Sequence, residues 1–269
     1  MKEIKKGKNE FTQKQVEELI FLIRKRCNAS KEEQKSIRDE MRKIGFYGRD
    51  NFGITNMTVD KFNGLISSGD IIVVDKSNTP STGAVNAIEE ETPVLPNNNK
   101  QGLEAWCGDE PYVLILGTLP GDESLRQQAY YQNKSNLFYK IMEHLFERES
   151  GASDKDFVLS HHIALWDCMK KAEREGSTDA KIKDGSIVPN EIEQFLILHP
   201  TITTICLNGT GKTTDTFNNY FCLEELEKKF RIISLPSTSN LNRGMGFEDK
   251  LKAWSVVKEI VESANKKTV

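Results

Sequence analysis

Residues 130–139 read YYQNKSNLFY. Adjacent tyrosines, three side-chain amides, a lysine and a serine make a poor strand and an irregular helix start. They suit a surface turn that holds a flat ring with polar edges, and a nucleobase drawn out of DNA is such a ring. Three more polar clusters follow short apolar runs. Trp166-Asp167 ends IALW (163–166), Asn208-Gly209-Thr210-Gly211 follows ITTICL (202–207), and Pro236-Ser237-Thr238-Ser239 follows RIISL (231–235). Gly117-Thr118-Leu119-Pro120-Gly121-Asp122 plays the same part after VLIL (113–116), and YYQNKSNLFY belongs to that first loop.

The apolar runs explain why these clusters should meet. Short buried strands alternate with helical stretches: Phe138, Ile141, Met142 and Leu145; then Ile192, Phe195 and Leu196; then Leu223, Leu226 and Phe230. A last helix carries Leu251, Trp254, Val257 and Ile260. That pattern predicts an α/β fold, a three-layer α/β/α domain with a mostly parallel central sheet. In an open parallel sheet the carboxyl ends of the strands line one crevice, where ligands bind.

The first part of the chain reads differently. Thr12 with Gln15 and Ser30 with Glu33 have capping-box spacing, each followed by an apolar stripe: Val16, Leu19, Ile20 and Ile23, then Ile37, Met41 and Ile44 before Gly45. A third helix should run from Thr58 to Gly69, with a strand at 71–74. Residues 1–76 are expected to form a small, mainly helical accessory domain, winged-helix-like or of another kind. Its function stays open between DNA binding, protein contact and scaffolding. Residues 77–102, rich in Pro, Asn, Ser and Thr, are expected to be a linker, and 103–269 the catalytic domain.

Composition narrows the class. At 37% apolar residues the 269-residue chain supports a real core. No apolar run approaches the roughly 20 residues of a membrane span, so a soluble, unexported protein is expected. Five scattered cysteines without a CxxC pair point to reduced thiols in the cytoplasm and away from zinc or iron–sulfur sites. The net charge is −3, and residues 1–76 carry about +4 of it against about −7 for the remainder.

NGTGKTT (208–214) lacks the first glycine of a phosphate loop, because position 206 is Cys206. HExxH and GxSxG are absent, leaving metal hydrolysis and serine-nucleophile chemistry without support. His161 and His162 precede a strand and read as structural.

Four ordered blocks carry a resemblance: ILGTLPGDESLRQQAYYQNKSNLFYKIM (115–142), IALWDCMKKAEREGSTDAKI (163–182), ICLNGT (205–210) and LPSTSNLNRGMGFEDKLKAW (235–254). Together they are similar to the DNA-deoxyinosine (hypoxanthine-DNA) glycosylases, a branch of the uracil-DNA glycosylase superfamily. The resemblance covers about residues 105–262. It implies cleavage of the N-glycosidic bond of a deaminated base, typically hypoxanthine, in single- or double-stranded DNA by a monomer, without metal or cofactor.

Residue by residue, the resemblance makes Tyr131 the platform for the flipped base and Asn136 the catalytic amide. A helix N-cap is the bland reading of Asn136, and the two roles are compatible. Gly117, Thr118, Leu119, Pro120, Gly121, Trp166, Asp167 and Asn208 are expected around the base, though Asp167 could equally orient a loop. Ser237, Thr238, Ser239, Asn240, Leu241 and Arg243 are expected to grip DNA, with Leu241, Arg243 or Met245 filling the gap in the helix. Leu119 stands where uracil-type enzymes carry an acidic or amide group, which turns the expectation toward inosine. Two positions depart from the inosine branch: Tyr139, usually tryptophan, and Asn240, usually proline. Another damaged or modified base, or non-catalytic nucleic-acid binding, are the alternatives.

Overall fold

The computed structural model describes residues 7–27, 29–55, 57–74, 98–240, 242 and 244–268. The chain separates into two units, Met1–Val94 with Asn219–Glu224, and Leu95–Asn218 with Glu225–Val269.

In the first unit a strand, β1 (Glu10–Thr12), leads into helix α1 (Gln13–Cys27), followed by α2 (Lys31–Ile44), α3 (Gly48–Phe52), α4 (Val59–Ser67) and strand β2 (Ile72–Val74). Both capping boxes form. The Gln15 amide N–H donates to Thr12 Oγ1 at 3.3 Å while Gln15 Oε1 accepts from the Thr12 N–H at 3.2 Å, and Ser30 with Glu33 repeats the exchange. Gly45 ends α2 at φ 98°, a left-handed turn that glycine enters without Cβ strain. Phe11, Leu19, Ile23, Met41, Phe46 and Phe62 fill the core. Neither β1 nor α3 carries a signal in the sequence, and β1 pairs parallel with β2. The described residues therefore hold no antiparallel wing of the winged-helix kind. Most of the expected linker lies outside the described residues, and near its end Asn99–Gln101 form a strand.

The reading of the cysteines needs correction. Cys27 and Cys222, 195 residues apart in sequence, form a disulfide within the first unit, while Cys107, Cys168 and Cys206 are free thiols. Spacing along the chain could not reveal a pair so far separated. A loop of this length is worth about 5 kcal/mol in the chain-entropy picture. Reduction, or Cys222→Ser, is thus expected to lower the denaturant midpoint of the first unit; superimposable urea curves with and without reductant would show that the bridge adds nothing.

The second unit runs β3 (Asn99–Gln101), β4 (Val113–Gly117), α5 (Asp122–Gln127), α6 (Phe138–Leu145), α7 (Asp154–Ser160), β5 (Ile163–Asp167), β6 (Met169–Glu173), β7 (Val188–Pro189), α8 (Ile192–Leu198), β8 (Thr204–Asn208), α9 (Lys212–Tyr220), α10 (Leu223–Leu226), β9 (Arg231–Leu235) and α11 (Phe247–Thr268), except that Asn219–Glu224, at the end of α9 and the start of α10, belong to the first unit. Its main sheet has the order β5-β4-β8-β9 with every pair parallel and helices flanking it. Every residue of β4 and β8 is buried, as central strands covered on both faces require. The chain steps from β4 to β5 on one side and returns to β8 on the other, so the switch point lies between the ends of β4 and β8. Phe138, Ile141 and Met142 of α6 and Trp254 and Val257 of α11 join Ile115 of β4 in the core. The Trp254 indole N–H donates to Pro236 O at 2.9 Å, fixing the root of the loop after β9.

A second, antiparallel sheet, β3-β6-β7, has no counterpart in the apolar pattern. In MKKAE, Met169 and Ala172 are buried and the lysines exposed, so the stretch has no apolar run to announce a strand. Among the described residues, no helix is long and apolar enough to cross a membrane.

Candidate active site

β4, β5 and β8 end on Gly117, Asp167 and Asn208, and β9 ends on Leu235. Around these ends lies a cleft of about 700 Å³. It is lined by Gly117, Thr118, Leu119, Pro120 and Gly121, by Tyr131 and Asn136, by Asp167 and Asn208, and by Ser237, Thr238, Ser239 and Asn240.

Gly117 sets the closest approach in the cleft. A Cβ there would stand 2.3 Å from Asp167 Oδ1 and 3.6 Å from the Tyr131 hydroxyl. Only a residue without a side chain lets the carboxyl and the phenol reach this strand end. Tyr131 occupies the left-handed region at φ 58°, uncommon for an aromatic residue. Its ring stacks on Phe138 with centroids 4.0 Å apart and planes 22° apart. The hydroxyl is buried near Asn208 and Asp167 yet has no hydrogen-bond partner among the described residues. Neighbouring Tyr130 is a packing residue, 2% exposed, whose hydroxyl donates to Glu104 O at 3.1 Å.

Asp167 is 4% exposed, and its Oδ2 likewise has no partner among the described residues. Burial, reinforced by the charge of Asp179 and opposed by Arg174, pushes its carboxyl up to about 8. The group is therefore a neutral acid at pH 7. An unfolded aspartate titrates at about 3.9, so between about pH 4 and pH 8 the folded chain keeps a proton that the unfolded chain has released. Stability should then fall as pH rises through that window, by up to about 1.4 kcal/mol per unit. Asp167→Asn is expected to flatten this slope and raise the melting temperature at about pH 8. Thermal melts of both proteins across the window check it.

Asn136 is half-buried just before α6. Its Oδ1 accepts the Phe138 N–H at 2.9 Å, so the carbonyl end of the amide is anchored to the start of the helix and the NH2 end is left to the cleft. The N-cap of α6 is Leu137, without a side-chain cap bond, so Asn136 closes an Asx turn one residue ahead of the cap rather than capping the helix itself.

Asn208 is more committed than its sequence suggested. Its Nδ2 donates to Thr238 Oγ1 at 2.9 Å and its Oδ1 accepts from the Thr238 N–H at 2.9 Å. Thr238 is fully buried, which corrects its expected role at the DNA surface: its hydroxyl and N–H are spent on Asn208, and its carbonyl accepts the Leu137 N–H at 2.9 Å. Ser237 Oγ accepts from the Ser239 N–H, and Asn240 is exposed at the rim. Leu241 and Arg243 lie outside the described residues. Met245 is exposed.

Trp166 also requires correction. It does not line the cleft, because adjacent strand residues face opposite ways and Asp167 takes the inward position. The Trp166 indole donates to Leu103 O at 3.1 Å and its ring packs on Phe195.

Two residues escaped the sequence reading. Arg174, 1% exposed, donates to the carbonyls of Leu119, Pro120 and Gly176 and so holds the loop after β4 in shape. Asp179 pairs with it at 3.5 Å, lines the cleft and carries a carboxyl raised by burial. A run such as REGSTD offers no periodic or motif signal for either.

The sequence profile described as the Uracil DNA glycosylase superfamily matches residues 105–258. The chain belongs to the uracil DNA glycosylase superfamily. Among similar proteins of this superfamily, a hypoxanthine DNA glycosylase of Methanosarcina acetivorans is 38% identical over 114 residues, 41% of this chain and 71% of the relative. Another hypoxanthine DNA glycosylase, from Methanosarcina barkeri, is 34% identical over 117 residues, with the same shares covered. A solution NMR structure from Methanosarcina acetivorans, described as a candidate uracil DNA glycosylase, superposes with a TM-score of 0.51 at 32% identity. That alignment covers 61% of this chain and 99% of the other. Within the superfamily fold, the cleft of this chain sits at the switch point of the sheet and brings together one ring, one amide and one neutral carboxyl.

Proposed function

We propose that this DNA glycosylase hydrolyses the N-glycosidic bond of deoxyinosine, releasing hypoxanthine. The observation that carries the reading is an unpaired, neutral Asp167 carboxyl beside the Tyr131 ring and the Asn136 amide in one cleft wide enough for a purine nucleoside. The flipped base stacks against the aromatic wall formed by Tyr131.

In the reaction, the C1′–N9 bond breaks and its electron pair goes to the purine, leaving an oxocarbenium-like sugar. Water attacks C1′ through one lone pair while Asn136 Nδ2 donates to the other. Water loses a proton as the departing purine gains one, so overall one water is divided between sugar and base. Asp167 gives the purine the proton that it still holds at neutral pH, and the proton that the water loses restores it. Leu119 favours inosine over uracil: it is packed against Met169, Ala172 and Ile182 and offers no polar side chain where uracil-type enzymes carry one. Two named relatives point to the same base.

Labelled duplexes carrying inosine, uracil, xanthine or a modified cytosine, incubated with the protein and then treated with alkali, test the reading. Scission at inosine is expected. Scission only at another base would reassign the substrate, and no scission on any duplex would end the enzymatic reading.

A further inference from the structure

The first unit contains a depression of about 440 Å³ that the proposed chemistry leaves unused. Arginines from three helices line it: Arg26 at the end of α1, Arg38 and Arg42 one turn apart on α2, and Arg49 on α3. Its floor is apolar, with Met41 and Phe46 buried at 3% and 2% exposure. Among the described residues one carboxylate, Asp50, lines it against four guanidinium groups.

Two of the arginines have ordinary duties. Arg26 donates to Met57 O at 3.0 Å, and Arg42 pairs with Asp39 at 2.9 Å on the exposed face of α2. Both, and Arg49 in the short α3, also stand in the last turns of their helices, where a cation offsets the dipole. Neither account reaches Arg38, which lies inside α2, is exposed and makes no ion pair among the described residues. Arg49, also exposed, makes none either. Burial and the charge of Arg38 both lower the Arg26 pKa, as expected where like charges are held close without enough acid to balance them.

We propose that this depression is a second DNA-contact site, in which Arg38 and Arg49, backed by Arg26 and Arg42, bind backbone phosphates. The planar fork of arginine matches phosphate oxygens in pairs. The depression is too broad for a single phosphate, and guanidinium groups on three helices fit a row of anions, which a DNA strand presents. The choice of DNA over other polyanions rests on the activity proposed for the second unit.

The test uses the full chain and a labelled, undamaged duplex, with binding followed by anisotropy over a range of salt. Arg38→Gln/Arg49→Gln is compared with Lys31→Gln/Lys35→Gln, which removes the same charge from α2 outside the depression. The arginine variant is expected to bind about tenfold more weakly, with a log K against log salt slope shallower by about 0.9 for each phosphate that is no longer neutralised. The lysine variant should stay near the parent. Parental affinity and slope in the arginine variant, or an equal loss in the lysine variant, would overturn the proposal. So would unchanged DNA binding accompanied by lost binding to phosphatidylserine vesicles, which would assign the site to a lipid surface. Should the double variant melt early, Arg38→Gln alone, at an exposed position, gives the same reading with half the slope change. Base release from the inosine duplex is measured separately on the parent: weakened binding in the arginine variant bears on this site, and absent base release with binding intact bears only on the activity.

Discussion

Asn136→Asp is expected to fold as well as the parent and to release base about 10²–10³-fold more slowly under single-turnover conditions, the usual loss for one preorganised donor. Aspartate makes the same Asx turn as asparagine does, so the carboxylate can keep the bond from the Phe138 N–H that Asn136 Oδ1 accepts at 2.9 Å. It cannot replace the NH2 group facing the cleft. Asn136→Ala removes both and should also lose about 1 kcal/mol of stability. A pair of melts and a pair of rates separate the two duties. Equal rates for parent and Asn136→Asp would show that the amide serves only the turn.

Gly117→Ala should be the most damaging single methyl in the cleft. The new carbon would stand 2.3 Å from Asp167 Oδ1, closer than any real contact, so the buried carboxyl must leave its place beside the strand end. Overpacking of this kind costs about 1–3 kcal/mol. Base release should fall by at least the factor expected for Asn136→Asp, because the displaced group is the one proposed to hydrogen-bond the purine. Chemical denaturation and single-turnover release measure the two losses. A variant with parental stability and rate would mean that Asp167 is not held where the strand end requires it.

The main sheet was legible because its central strands are covered on both faces and their sequences are nearly unbroken apolar runs, VLIL and ITTICL being the clearest. Capping boxes at Thr12 and Ser30 were equally readable, since the signal lies within four residues. Features that depend on distant partners were not. Arg174 acts on carbonyls more than 50 residues away, and Cys27 meets Cys222 across 195. The small sheet built on β6 hides behind lysines. Thr238 looked like a surface hydroxyl in a polar loop, and only the fold shows that Asn208 and Leu137 claim it. Trp166 was grouped with Asp167 by adjacency, whereas the pleat sends neighbours to opposite faces. Tyr131 and Asn136 meet in the cleft because one irregular turn carries both, so their proximity was implicit in YYQNKSNLFY.

Thr238 resembles the fulcrum of a lever. Its outer arm is Ser239 and Asn240; its inner arm is the backbone bond to Leu137, next door to Asn136, with Asn208 bonded to both its hydroxyl and its N–H. On the proposed function, a strand pressing on Ser239 or Asn240 would move the backbone beside Asn136. Hold on the polymer and alignment of the reacting atoms would then be a single adjustment, made at Thr238.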